Sequence, residues 1–143
     1  MRVAVKLLSE RARLPRRANP GDAGLDLYAA ESALIGPGER TSIGTAIAIE
    51  LPNGLTGLIT PRSGLALRHG ISMVNAPGLI DPGYRGELRV LLLNTDRDHA
   101  FTVNLGDRIA QLLITPFAAL DPLEVDQLGA TARGADGFGS SGT

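Results

Sequence analysis

The sequence predicts an all-β domain, and three observations carry that prediction. Short segments rich in Val, Ile, Leu and Thr recur at spacings of about 8–12 residues along the chain. Breakers built from Gly, Pro, Asn and Asp separate them, among them Asn19-Pro20-Gly21-Asp22, Gly36-Pro37-Gly38, Pro52-Asn53-Gly54 and Asn94-Thr95-Asp96. Only one stretch, Ser63–Arg68, reads as a short helix, and no internal repeat is visible. Such a pattern belongs to a sandwich, a jelly roll or a small barrel.

Taken in order, the predicted strands are Val3–Leu8, Leu25–Ala30, Thr41–Glu50, Leu55–Thr60, Ile71–Val74, Glu87–Asn94, Ala100–Val103, Arg108–Thr115 and Leu123–Gln127. Within two of them, Arg89–Leu93 and Ile109–Ile114, the apolar run is nearly continuous rather than alternating. Continuous runs indicate burial on both faces. A small two-layer domain has little room for such strands unless one face meets another subunit, so the chain is expected to form an oligomer. Residues 1–127 read as a single β domain, since 143 residues suffice for one core and not for two. Residues 128–143 change character. With Gly134, Gly137, Gly139 and Gly142 close together they form a Gly-rich arm, expected to be mobile without a partner.

Composition excludes several classes. Cysteine is absent, which removes disulfides and thiolate metal sites, and only His69 and His99 are available for a histidine-based centre. A net charge of −1 gives no global case for nucleic acid. The early basic cluster of Arg2, Lys6, Arg11, Arg13, Arg16 and Arg17 reads as a solvated face or a local anion contact. No apolar run approaches the ~20 residues that span a bilayer, and the N-terminus lacks a signal-peptide core, so a cytoplasmic protein without membrane contact is expected.

The densest chemistry lies in Gly78–Glu87. Asp81-Pro82-Gly83-Tyr84 reads as a type II turn closing a hairpin, with Pro at its second position and Gly at its third. The tip carries a carboxylate, an aromatic ring and the Arg85 guanidinium, which suit nucleophile activation, stacking and anion binding. The same residues also suit a plain turn with surface side chains. Phe101 and Phe117 sit among apolar neighbours and read as core, whereas Tyr84 and Phe138 lie in glycine-rich loops and suit stacking on a planar ligand. Three segments could cradle anions: Pro61–Ala66 at the start of the helix, Gly106–Gln111, and the tail with Arg133, Ser140 and Ser141. In an extended segment Arg108 and Gln111 point to opposite faces, which argues against both touching one ligand. No P-loop motif is present. The nearby carboxylates, Asp22, Asp26, Asp81 and Asp107, are scattered, an arrangement compatible with Mg²⁺ held mainly by waters and phosphate oxygens.

Five segments in order resemble the five motifs of the trimeric dUTPase family: PGDAGLDLYAA at 20–30, PRSGLA at 61–66, NAPGLIDPGYRGE at 75–87, GDRIAQ at 106–111 and RGADGFGSSG at 133–142. They cover about a third of the chain and span nearly all of it. One departure is Asp136, where the tail motif usually has glycine.

The resemblance implies an all-β, jelly-roll-like subunit of the β-clip type. It implies a homotrimer with shared active sites, the C-terminal arm closing over one of them. It further implies hydrolysis of dUTP to dUMP and diphosphate by in-line water attack at the α-phosphorus, removing dUTP and supplying dUMP for thymidylate synthesis. By motif position, Asp81 orients and deprotonates the water, and Asp26 holds Mg²⁺ through water with no direct protein ligand. Tyr84 packs on the deoxyribose and rejects a 2′-hydroxyl. Asn75 and the backbone of Gly78, Leu79 and Ile80 read the uracil edge. Arg62, Ser63, Gly64, Gln111, Arg133, Gly139, Ser140 and Ser141 hold phosphates, Phe138 stacks on the base, and Arg89 is a further substrate contact. Two rival readings stand beside this one: a dCTP deaminase-like enzyme of the same fold, and a non-catalytic nucleotide-binding or protein-interaction module.

Overall fold

The computed structural model describes residues 2–135 and Gly137. Eleven antiparallel strands and one short helix follow one another as β1 (Ala4–Leu7), β2 (Leu25–Tyr28), β3 (Ala33–Ile35), β4 (Arg40–Gly44), β5 (Ile47–Glu50), β6 (Leu55–Thr60), α1 (Ser63–His69), β7 (Ile71–Met73), β8 (Gly78–Ile80), β9 (Arg89–Asn94), β10 (Phe101–Val103) and β11 (Arg108–Pro116). Two larger sheets have the strand orders β2-β11-β6-β8 and β4-β9-β7, beside two strand pairs, β1-β5 and β10-β3, and an isolated antiparallel bridge between Arg16 and Asp26. The inward residues of both larger sheets meet in one apolar cluster that includes Leu27, Ile59, Ile109 and Leu112 from the first and Ile43, Val90, Leu92 and Ile71 from the second. The mostly-β expectation with one short helix therefore holds.

Several predicted elements change on inspection. Thr41–Glu50 is two strands, because the chain turns a corner at Thr45–Ala46, where Ala46 adopts a left-handed φ of 52°. β4 then pairs with β9 while β5 pairs with β1. That corner is held by side chains. Thr45 donates its hydroxyl to the Leu88 carbonyl at 2.6 Å, and the Ala46 N–H donates to the Glu87 carboxylate at 2.8 Å. Leu123–Gln127 forms no strand; it lies exposed, with no partner strand among the described residues. Ala33–Ile35 and Gly78–Ile80 are strands that the sequence reading did not isolate.

Within one chain, each of the two continuous apolar runs is buried on one face. In β9, burial alternates, with Val90 and Leu92 inward and Leu91 38% exposed. In β11, Leu112 is buried but Leu113 and Ile114 are only half-buried. The single chain thus covers one face of each strand and leaves apolar side chains on the other. Of the two phenylalanines assigned to the core, Phe101 packs against the main cluster, whereas Phe117 is 41% exposed.

Asn94 fastens three elements together. Fully buried at the end of β9, it donates its amide to the Ile35 carbonyl of β3 at 3.0 Å and to the His99 carbonyl at 2.8 Å, while its Oδ1 accepts the Asp96 N–H at 3.0 Å. Leaving such buried groups unpaired costs about 1–3 kcal/mol each. Asn94→Leu is therefore expected to lower unfolding free energy by about 2 kcal/mol or more, checked by urea denaturation; a change under about 0.5 kcal/mol would place the load elsewhere.

Candidate active site

Asp26 is the organising residue. Strand β2 alternates so that Leu27 enters the core while Asp26 faces β11, and the Asp26 carboxylate is 3% exposed. A buried carboxylate is unfavourable unless it is paired and hydrogen-bonded. Three donors answer it: Arg62 Nε at 3.4 Å and Gln111 Nε2 at 3.5 Å approach Oδ1, and Arg108 Nη1 lies 3.1 Å from Oδ2. Arg62 also donates from Nη1 to the Arg108 carbonyl at 2.9 Å. Two segments far apart in sequence, at Arg62 and at Arg108–Gln111, thus converge on the oxygen pair of a third.

The convergence of Arg108 and Gln111 corrects the expectation that they face opposite ways. The β2–β11 register shifts between Arg108 and Ala110, and both Ile109 and Ala110 are buried. A bulge inserts one extra residue, so side chains three apart come to the same face. Gly24 completes the arrangement: a Cβ there would stand 3.4 Å from Gln111 Cβ and Cδ, so the Gln111 side chain lies across the space glycine leaves open.

Arg62 leads into the helix. It is the N-cap residue in extended conformation, without a side-chain cap, and Ser63 opens the first turn. By helix geometry the first N–H groups lack intrahelical acceptors. Ser63 is exposed and Gly64 half-buried, with the Arg68 guanidinium over the latter.

The Asp81 turn forms with a Tyr84 N–H to Asp81 carbonyl bond at 3.1 Å. It is not type II, because Gly83 is not among the residues with positive φ. Nor does it close a hairpin: β8 before it pairs with β6, and β9 after it pairs with β4 and β7, so the turn carries the chain from one large sheet to the other. Asp81 and Tyr84 are exposed. The Tyr84 hydroxyl donates to the Glu87 carbonyl at 2.9 Å, and the ring lies over Gly86. Arg85 braces the turn, donating to the Pro82 and Tyr84 carbonyls and pairing with Glu50 at 3.3 Å. Asn75 is exposed, its amide against Gly78.

These two groups stand apart within one chain. Ile80 pairs with Gly57, which puts Asp81 level with Thr56, whereas Arg62 follows the opposite end of β6. Six extended residues separate the two levels, roughly 20 Å at ~3.3 Å per residue. Arg89 belongs to a third place. Its guanidinium pairs with Glu31 at 2.8 Å and Glu87 at 3.0 Å, and it also bonds the Ser42 hydroxyl and carbonyl, each at 2.9 Å. The sequence reading missed this acidic pair; its one signal was Glu87, two residues before Arg89. Arg133 is exposed near the end of the described chain, and Phe138, Gly139, Ser140 and Ser141, with Asp136, lie outside the described residues.

Two guanidinium groups and an amide around one carboxylate leave a net positive rim, suited to a phosphorylated ligand. The chain is thus a small β protein with a cationic rim around one buried carboxylate. The dUTPase family model matches residues 10–142. Curated relatives named deoxyuridine 5′-triphosphate nucleotidohydrolase include one from Thermobifida fusca, 53% identical over 99% of this chain and 79% of its own length. Another, from Corynebacterium glutamicum, is 51% identical over 97% and 95%. Among solved structures, the Staphylococcus bacteriophage 80alpha dUTPase with dUPNHPP superposes with a TM-score of 0.93 at 32% identity, covering 99% of both chains. The phage phi11 dUTPase, described with a structural Mg(II) ion, gives 0.84 at 30% identity over 91% of this chain and 100% of its own. The chain belongs to the dUTPase family.

Electrostatics outside the Asp26 cluster yield a test. The Gly44 N–H, with Arg89 beside it, holds the Glu31 carboxyl below its ordinary value of 4.5, against an opposing push from burial. A depressed folded pKa means stability that is present above the ordinary value and lost as pH falls through the folded one. Glu31→Gln should therefore melt below the parent at neutral pH, with the gap closing below about pH 4. A gap that stays constant down to about pH 3 would show that Glu31 acts without its charge.

Proposed function

We propose that this chain hydrolyses dUTP to dUMP and diphosphate. The observation that carries the proposal is the meeting of Asp26, Arg62 and Gln111, from three separate family motifs, around one buried carboxylate. In this reading Arg62, Gln111, the Ser63 hydroxyl and the Ser63–Gly64 backbone bind the triphosphate. Asp81 orients water for in-line attack at the α-phosphorus and takes its proton, a contribution of roughly 10²–10⁴ in rate. Tyr84 packs on the deoxyribose, Asn75 with the Gly78–Ile80 backbone reads uracil, and Phe138, Gly139, Ser140, Ser141 and Arg133 close over the nucleotide from the arm. Arg89, with its guanidinium bonded to Glu31, Glu87 and Ser42, reaches substrate in this reading only by giving up some of those bonds.

The residues fit a magnesium ion carried in with the substrate. No group of three or more His or acidic side chains suited to a metal occurs among the described residues, and Mg²⁺ prefers waters and phosphate oxygens to an all-protein cage. Asp26 would hold it through water, and the ion would offset triphosphate charge.

Subunit architecture is proposed to be jelly-roll-like and the assembly a homotrimer with shared sites. The separation of Asp81 from Arg62 supports sharing, since one site needs both. Surface apolarity supports assembly: Leu34, Leu120, Leu123 and Leu128 are 68–89% exposed, and a groove of about 610 Å³ runs between Val3, Val5, Leu25, Ile49 and Ile114.

The activity is tested by measuring diphosphate release from dUTP, dTTP, dCTP and UTP, with ammonia release from dCTP alongside. Diphosphate from dUTP alone is expected. Ammonia from dCTP would favour the deaminase rival, and inert binding of all four the non-catalytic one.

Asp81→Asn should keep dUTP affinity within about tenfold while lowering turnover by about 10² or more. Near-normal turnover would reduce Asp81 to a turn-former. Sharing has its own test. Asp81→Asn and Arg62→Gln chains, co-refolded in equal amounts, should regain about a quarter of parental sites by random mixing in a closed ring. A mixture no more active than either variant alone would confine the site to one chain.

Removing Arg133–Thr143 should leave the melting curve nearly unchanged and cut dUTP hydrolysis strongly, as loss of a closing lid does. Full activity after truncation would deny the arm any part.

A further inference from the structure

Arg108 is tied to Asp26 yet has no part in the reaction as proposed. The two carboxylate oxygens of Asp26 are used unequally. Oδ1 is shared by Arg62 and Gln111, at 3.4 Å and 3.5 Å, whereas Oδ2 belongs to Arg108 at 3.1 Å. When Arg62 and Gln111 turn to phosphate, Oδ1 loses both donors at once. A buried carboxylate, 3% exposed, does not release its partners freely unless another counter-charge stays in place.

We infer that Arg108 is a positioning residue, the standing counter-ion of Asp26 that frees Arg62 and Gln111 for the triphosphate. The inference rests on the reading that these two hold phosphates. Geometry supports it in three ways. The bulge after Arg108 turns its side chain to the same face as Gln111, so the guanidinium reaches Asp26 without crossing the site. The Arg108 carbonyl accepts Arg62 Nη1 at 2.9 Å, an anchor for Arg62 that does not involve Asp26. The Arg108 side chain is 46% exposed against 22% for Arg62, so it occupies the outer edge of the cluster and needs no rearrangement when a ligand enters. Without Arg108, Arg62 would be the only cationic side chain left on Asp26 among the described residues and would be held there.

The test measures binding of the non-hydrolysable imido analogue of dUTP by calorimetry, in EDTA and in Mg²⁺, beside binding of deoxyuridine, which lacks phosphates. Arg108→Gln should weaken the analogue at least about tenfold in both buffers and leave deoxyuridine within about twofold, and Arg108→Lys should restore most of the loss. In the Asp26→Asn background Arg108→Gln should add no further loss, because no buried charge remains to be offset. Analogue affinity within about twofold of the parent, or a loss that adds in full to that of Asp26→Asn, overturns the inference. Arg62→Gln separates the two levels. If it weakens the analogue while Arg108→Gln does not, only the counter-ion role fails; if it leaves affinity unchanged, the phosphate role of Arg62 fails and this inference with it. Should Arg108→Gln alone fail to fold, the Asp26→Asn/Arg108→Gln chain is expected to fold, and its failure to do so would show that Arg108 supports the fold apart from Asp26.

Discussion

The constraint on which the site depends is the placement of a charged carboxylate where it is almost wholly shielded from solvent. Stripping a carboxylate of its hydration costs several kcal/mol even after relaxation, and only close, well-aligned donors offset that. Asp26 meets this with donors from β11 and from the segment between β6 and α1. The demand runs in both directions. The carboxylate draws Arg62, Arg108 and Gln111 into one place, and those residues hold the edge of β2 against β11. Charge satisfaction and site assembly are therefore one event, and removing any member alters both.

A second ionic cluster performs a different task. Glu31, Arg89 and Glu87 lie over the corner at Gly44–Ala46, where the chain leaves the β4 sheet and enters the β1-β5 pair. Gly44 is buried beneath them, and a Cβ there would stand 2.6 Å from Glu87 and 2.8 Å from Arg89. The left-handed backbone at Ala46 costs on the order of 1 kcal/mol for a residue with a side chain. The Glu87 bond to its N–H and the Thr45 bond to Leu88 compensate locally. Unlike the Asp26 cluster this one is partly open to water, so its worth per ion pair is small and its role is to fix the corner.

Much of this was legible in the sequence because it rests on local rules. β6 has the bounds that apolar content and flanking breakers indicate, and α1 ends at Gly70 in the left-handed conformation that glycine permits. What the sequence hid depends on distant partners. The corner at Ala46 is set by Glu87, 41 residues away, and nothing near Ala46 announces it. Gly78–Ile80 is a strand because β6 lies beside it, not because three residues favour extension. Leu123–Gln127 fails for the converse reason: its alternation is sound, but among the described residues no strand pairs with it. At the site, motif resemblance supplied the residues while leaving their grouping open, since the roughly 20 Å between Asp81 and Arg62 follows only from register.

The bulge between Arg108 and Ala110 carries a consequence for how this segment tolerates change. Because pleated side chains alternate with a period of two, a residue gained or lost there would invert everything after it. Gln111 would exchange places with the buried residue beside it, and an amide would enter the core as an apolar side chain emerged. Substitutions at Ile109 need only keep its volume and its apolar character. Insertions and deletions are barred by geometry whatever residue they involve, so in this strand the count of residues is held more tightly than their identity.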